Sequence, residues 1–430
     1  MAKPSGSVCN IDCEYCFYLE KEMLYPERQS NWRMSDDTLE QFIRQQIEAQ
    51  TGAHVDIAWQ GGEPTLMGLD FFKKAVLLCE KYKKNKTVRH AFQTNGILLN
   101  DEWCSFLKKN HFLVGLSIDG PQDLHDKYRV TRSKKGTHSQ AEKAIQLLKK
   151  HGIEFNTLTV ISDANVAHPT RVYEYLTGLG SQFLQFIPLV ERESSGECNP
   201  KNSLAAPDQL FAPVTRWSVK AKEYGRFLNA IFDRWVSQDV GQVFVQNFDS
   251  ALASWLGQPA SVCIFAEQCG HVFALESNGD LYQCDHYVYP EYLLGNIHQH
   301  TIRELNSNPE AMAFGLNKKQ TLNSQCIECK YRFACNGGCP KQRFERGPSG
   351  KPDHNYLCEG YYHHFEHIDH SMSIMASLLR KGRPAAEIMT FMAQKKQHSQ
   401  AIATAQNLGR NSPCPCGSQR KFKQCCGKTT

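Results

Sequence analysis

The sequence predicts an α/β chain: a partial (β/α)6 barrel of TIM type, followed by a cysteine-rich domain and a small cysteine-rich tail. Three observations predict it. Between about residues 30 and 190, short apolar runs alternate with amphipathic helical patterns, the signature of a parallel sheet wound by crossover helices. The loop Cys9-x3-Cys13-x2-Cys16 follows a first strand expected just before it, and barrels carry their reactive groups at the C-terminal ends of strands. Cysteines then recur in two further blocks, Cys263 to Cys358 and Cys414 to Cys426.

The elements follow in chain order. Only eight residues precede Cys9, so the first strand is expected to be short. Asp36–Ala49 reads as a helix capped by Ser35, whose hydroxyl suits an N-cap. The apolar runs Val55–Gln60, Arg89–Thr94, Leu113–Ile118, Phe155–Ile161 and Phe183–Pro188 read as strands. Leu69–Lys83, Asp101–Lys109, Gln140–His151 and His168–Leu179 carry helical periodicity between and after them. With the first strand, these make about six βα units. From Asp208 to Trp235 a helical pattern leads away from the barrel, and from Tyr361 to about Ala405 the chain reads as helix and polar linker. The expected domains are a barrel over 1–235, a cysteine-rich domain over 236–370, a helical and polar linker over 371–408 and a compact tail over 409–430.

Eighteen cysteines would suit a disulfide framework in a secreted protein, but no apolar signal segment opens the sequence, so metal binding in the cytoplasm is the expectation. No run approaches the ~20 apolar residues of a membrane helix. A net charge of +5, with lysines scattered over helix faces, does not point to nucleic acid.

Three thiolates as close as Cys9, Cys13 and Cys16 can hold three irons of a cubane that normally takes four ligands, leaving one iron open. A structural zinc site would need a fourth ligand nearby, and none is present. With Tyr15 just before the last cysteine, the spacing resembles the radical S-adenosylmethionine (SAM) superfamily, in which the open iron binds SAM. Gln60-Gly61-Gly62-Glu63-Pro64 could be an ordinary turn, but after that loop it is similar to the superfamily's GGE motif. Its glycines permit close backbone approach, and Glu63 or adjacent carbonyls suit the ammonium of SAM. Ser117, at the end of Leu116-Ser117-Ile118-Asp119-Gly120, is the SAM contact the resemblance implies first. Gly62 belongs to the same expected cofactor pocket, as do the backbone of Tyr15 toward the adenine and Val190 as an apolar adenine contact. Arg129 is expected to pair the SAM carboxylate in bidentate fashion.

Cys263, Cys269, Cys284, Cys326, Cys329, Cys335, Cys339 and Cys358 are enough for two fully ligated four-iron clusters, or for two zinc sites. Their order resembles the SPASM domain of peptide-modifying radical SAM enzymes. That resemblance implies an interleaved pairing: Cys263, Cys269, Cys284 and Cys339 for one cluster, and Cys326, Cys329, Cys335 and Cys358 for the other. With the first loop, three 4Fe–4S clusters are expected.

Cys284-Asp285-His286-Tyr287 narrows the resemblance to the anaerobic sulfatase-maturating enzymes, whose motif there is Cys-Asp-x-Tyr. Cys16-Phe17-Tyr18 and Leu294-Gly295-Asn296-Ile297 also match that family, and the likeness covers about residues 4–370. It implies oxidation of a Cys or Ser in a Cys/Ser-x-Pro-x-Arg segment of a sulfatase to Cα-formylglycine, with a flavodoxin or ferredoxin as electron donor. Once a β-hydrogen has been abstracted, the substrate must lose a proton and an electron. Asp285 is expected to take the proton and the neighbouring cluster the electron. Two rivals are a SPASM maturase that crosslinks or epimerises a ribosomal peptide, and a non-catalytic Fe–S and zinc adaptor. The second has no need of an open iron.

Cys414, Cys416, Cys425 and Cys426 offer four thiolates in a segment too short to fold by burial alone, the usual case for zinc. The tail resembles the SEC-C motif of the bacterial translocation ATPase. Arg410, Arg420, Lys421 and Lys423 beside the cysteines suggest docking to an acidic protein surface or to secretion machinery. His363 and His367 share a helix face, but an exposed helix end is expected there rather than a metal site. Cys79 and Cys104 lie in helical patterns as packed thiols, and Cys198 is spare.

Overall fold

Alternate residues of Phe155–Ile161 are buried, as a strand covered on one face requires. The computed structural model describes residues 1–19, 21–25, 31–194, 204–207, 209, 211–270, 272–394, 409–414 and 418–425. Six parallel strands pair in sequence order: β1 His54–Trp59, β2 Thr87–Thr94, β3 Leu113–Ser117, β4 Phe155–Ile161, β5 Phe183–Pro188 and β6 Phe244–Val245. Helices Leu69–Tyr82, Asp101–Lys109, His138–Lys150, Pro169–Gly178 and Ala221–Gln238 lie along the crossovers. The Ser35 hydroxyl accepts the Thr38 N–H at 3.1 Å, which fixes the start of helix Asp36–Ala49. Trp59, Phe72, Phe92 and Trp103 pack edge-on or tilted between sheet and helices, with neighbouring centroids 5.1–5.7 Å apart. Each such buried aromatic stabilises the fold by roughly 1.5–3 kcal/mol.

Three expectations change. Instead of a strand before Cys9, Ala2 makes a single parallel bridge to Trp59 and another to Leu275. The Gly6 N–H turns back onto the Lys3 carbonyl at 3.0 Å, so the extended run ends at once. That bridge ties the barrel sheet to a small sheet of β7 Ala274–Leu275, β8 Asp280–Tyr282 and β9 Leu293–Asn296. Second, helix Ala221–Gln238 does not lead away from the barrel. Gly241, at φ +83°, reverses the chain, and Phe244 pairs and stacks with Phe183 to make β6 beyond residue 235.

Third, residue 370, expected as a domain boundary, falls inside one helix, Cys358–Arg380, so the helical start of the segment after it is continuous with what precedes it. Met372, Met375 and Ala376 carry its buried face onward. This helix packs on Ala221–Gln238 through two glycines. A Cβ on Gly360 would stand 2.0 Å from the Ala221 carbonyl oxygen, and one on Gly225 2.6 Å from that of Gly360. His363 and His367 are exposed on the first turns of this helix, as expected, whereas His364 between them is not. His364 is buried with Nδ1 2.8 Å from Asn229, and His367 pairs with Asp233 at 2.6 Å. Cys79 and Cys104 are buried in helices. Asp208, Cys198, Ala405, Cys416 and Cys426 lie outside the described residues. Among the described residues, no helix is long and apolar enough to cross a membrane.

Candidate functional site

The strands end around a cavity of about 380 Å³, a size that suits a small cofactor. Cys9, Cys13 and Cys16 line it, together with Tyr15, Gly62, Ser117, Arg129, Val190 and Asp285. Residues more than 270 positions apart therefore share one chamber. The cysteine loop is held from two sides. Asp12 and Glu14 donate their N–H groups to the carbonyls of Val130 and Tyr128, and Gly62 and Glu63 donate theirs to Gly6 and Val8. A Cβ on Gly62 would stand 2.1 Å from the Val8 oxygen, so glycine is required there by the chain's own backbone, a contact the motif alone does not reveal.

Glu63 is buried and accepts from the hydroxyls of Thr65 and Thr94 and from the N–H groups of Thr65 and Asn95. Burial raises its pKa and these hydrogen bonds oppose the rise. Both of its oxygens are thus tied to the protein's own donors. Arg129 lines the cavity with part of its guanidinium engaged. Its Nε and Nη2 face the Asp119 carboxylate at 2.8 and 3.2 Å, which fixes the direction of the guanidinium. Tyr15 donates its hydroxyl to the same carboxylate, which leaves its backbone on the cavity wall. Burial, then the nearby Glu63 carboxylate, push the Cys9 thiol up to about 12. Iron loading of this loop must therefore release protons.

Asp285 opens a short 3-10 helix, Asp285–Tyr287, directly after Cys284. It is half-buried and faces the cavity, not the outer surface. Burial raises its pKa, but His286 and Lys3 outweigh this and hold it at about 2, so it is a carboxylate at neutral pH. Sequence reasoning missed Lys3, Glu191, His286 and Lys341, which also line the cavity. Lys341 and Glu191 form a buried ion pair at 2.5 Å, and Lys341 lies 4.7 Å from the Phe17 ring centre. Only the adjacency of Lys341 to Cys339 could have pointed to it.

The other eight cysteines fall into two groups in space. Cys326, Cys329, Cys335 and Cys358 ring a separate cavity of about 420 Å³. A single zinc would draw four sulfurs to about 2.3 Å from one point, whereas this cavity has room for a polynuclear centre. Cys263, Cys269 and Cys284 each lie in the electrostatic field of Cys339. Cys335 and Cys358 instead feel Cys326 and Cys329. The chain crosses from one group to the other between Cys335 and Cys339, where Asn336, Gly337 and Gly338 all adopt positive φ. In the tail, Cys414 N–H donates to the Arg420 carbonyl and Phe422 N–H to that of Ser412, closing a small knuckle.

The Radical SAM superfamily model matches residues 4–176, the iron–sulfur cluster-binding domain model residues 263–330 and the SEC-C motif model residues 410–428. A serine-type anaerobic sulfatase-maturating enzyme of Bacteroides thetaiotaomicron is 44% identical over 389 residues, 90% of this chain and 94% of its own. A cysteine-type enzyme of Clostridium perfringens is 35% identical over 85% of this chain and 95% of its own. Among solved structures, native anSMEcpe with bound AdoMet and Cp18Cys peptide superimposes with a TM-score of 0.76 at 33% identity, covering 88% of this chain and 98% of that one. Streptococcus suis SuiB bound to precursor peptide SuiA shares the fold, at a TM-score of 0.55 and 13% identity over 83% of this chain and 74% of its own.

Proposed function

The chain belongs to the anaerobic sulfatase-maturating enzymes of the radical SAM superfamily, and on that premise we propose how its residues convert a seryl or cysteinyl residue of a sulfatase to Cα-formylglycine. The observation that carries the reading is the convergence of Cys9, Cys13, Cys16 and Asp285 on one cavity. SAM bound at an open-iron cluster supplies a 5′-deoxyadenosyl radical able to take a β-hydrogen from the substrate. Cys9, Cys13 and Cys16 are the ligands for that cluster. Ser117, Val190, the backbone of Tyr15 and the wall at Gly62 hold SAM beside them. Arg129, held in direction by Asp119, pairs the SAM carboxylate through its remaining N–H groups, and Asp119 also fixes the Tyr15 hydroxyl. Asp285 Oδ receives the proton that the substrate loses after hydrogen abstraction, and it acts as an oriented carboxylate beside Cys284.

The two cysteine quartets each hold a 4Fe–4S cluster, bringing the total to three. Cys414, Cys416, Cys425 and Cys426 hold zinc, and the basic residues around them dock an acidic protein surface. A reduced flavodoxin or ferredoxin feeds the first cluster, and the enzyme works in the cytoplasm. Serine is the target to test first, because the relative at 44% identity is serine-type.

The test uses anaerobically reconstituted, reduced full-length enzyme with SAM and a Ser-x-Pro-x-Arg or Cys-x-Pro-x-Arg peptide. Mass spectrometry should find the aldehyde and 5′-deoxyadenosine. A crosslinked or epimerised peptide in place of the aldehyde would refute the reading.

A further inference from the structure

Among the described residues, two cations buried beside the cysteine quartets have only neutral hydrogen-bond partners. Lys318, 1% exposed, lies on helix Pro309–Gln320 and donates its ammonium to the carbonyls of Cys263 and Ile264 at 2.7 and 2.9 Å. Arg343, 8% exposed, donates Nε to the Gly337 carbonyl at 3.0 Å, Nη1 to that of Lys318 at 2.7 Å and Nη2 to that of Asn336 at 2.9 Å. Longer contacts to the Thr321 hydroxyl and the Gly338 carbonyl are neutral as well. Asn336 and Gly337 belong to the stretch where the chain crosses between the quartets. Arg343 therefore clamps the crossover, and a Cβ on Gly337 would meet its Nη2 at 2.7 Å.

A buried cation without an anionic partner is costly. Burial lowers both pKa values and the two cations oppose each other, while cysteines of the quartets pull the other way. The groups opposing burial include Cys269, Cys339 and Cys263 for Lys318, and Cys326 and Cys339 for Arg343. A four-iron cluster with four thiolate ligands carries net negative charge, and nearby charge is one of the settings of its potential. The quartets are the anions these cations lack.

We propose that Lys318 and Arg343 are charge-positioning residues of the two auxiliary clusters, Lys318 against the quartet of Cys263, Cys269, Cys284 and Cys339 and Arg343 between both, favouring the more negative, reduced state. The inference rests on the cluster assignment made above. Lys318 acts on the quartet that includes Cys284, next to Asp285, and so on the cluster best placed to take the substrate's electron. Arg343 acts on both.

The test is a redox titration followed by electron paramagnetic resonance. It uses the full chain, with Cys9, Cys13 and Cys16 replaced by Ala so that only the quartets give signals. Lys318→Met and Arg343→Gln remove charge, whereas Lys318→Arg and Arg343→Lys keep it. Each lost charge should lower the one-electron reduction equilibrium by about tenfold, which corresponds to about 59 mV. Arg343→Gln should shift both clusters and Lys318→Met mainly one, and the charge-keeping variants should stay near the parent. Loss of iron and sulfide only on charge removal also supports the proposal. Unchanged potentials at full iron content overturn it, as do equal shifts or equal iron loss in both kinds of variant, which would make these residues mere scaffold. A parent without iron in the quartets refutes the cluster assignment itself, and this inference with it.

Discussion

Arg129 beneath the cysteine loop and Arg343 between the quartets are each 8% exposed, yet the first faces a carboxylate and the second only carbonyls and a hydroxyl. The barrel neutralises its buried cation Arg129 with Asp119. The C-terminal domain leaves Lys318 and Arg343 without a carboxylate and offers their charge to the sulfur ligands.

The largest effect that separates the regions is expected from replacing Cys9, Cys13 and Cys16 together by Ala. SAM cleavage should vanish, with no 5′-deoxyadenosine detected, while about eight irons per chain remain in two four-iron clusters. If the triple variant still makes 5′-deoxyadenosine, the division of labour is wrong. Next comes Asp285→Asn, which joins the regions because Asp285 follows a quartet ligand but lines the barrel cavity. SAM should still be cleaved, and aldehyde should fall by roughly 10²–10⁴-fold, as on losing a general base. Wild-type aldehyde yield would remove Asp285 from the mechanism.

Asp119→Asn probes the barrel's cation directly. It leaves Arg129 buried against a neutral amide and should cost about 3–5 kcal/mol, measured by anaerobic denaturant unfolding. A loss within error of zero would show that Arg129 finds another anion.

A smaller contrast is expected with pH. Burial pushes His125 down to about 4, with Asp119 opposing and Arg129 and His138 reinforcing. Its Nδ1 accepts the Asp119 N–H at 3.2 Å, so the neutral ring supports the same network. Burial also pushes His90 down to about 4. The unfolded chain binds the proton more readily than the folded one, so this stability is complete above about 6.5 and is lost as pH falls toward 4. Unfolding midpoints between those values should fall with pH, and less so in a His125→Gln variant. The smallest effect is expected from ending the chain after residue 408. One zinc should be lost and turnover of short peptides should persist, whereas a fall confined to full-length sulfatase would identify the tail as a docking element.

How much of this was legible follows from the range of each interaction. Ser35 and the strand alternation of Phe155–Ile161 are local, and the chain reads them as expected. β6 was not legible. Two residues, Phe244 and Val245, carry no periodicity, and they become a strand only because Phe183 offers an edge and a ring to stack on. The Arg129–Asp119 pair was not legible either, because the partner lies ten positions away across a turn.

By itself, the sequence determined the chemistry: three cysteines at a spacing that leaves an iron open, eight more in a later block, and an acid fixed beside one of them by a covalent bond. Such signals survive without coordinates because ligand type and short spacing are encoded in a few adjacent residues. Tertiary structure alone decided that Ala2 stitches the two sheets together and that Gly62 yields to the Val8 backbone. It alone decided that Lys318 and Arg343 are buried without a carboxylate. Each of those outcomes depends on what distant segments bring within a few ångströms, and burial and charge are set by that company, not by the residue's neighbours along the chain.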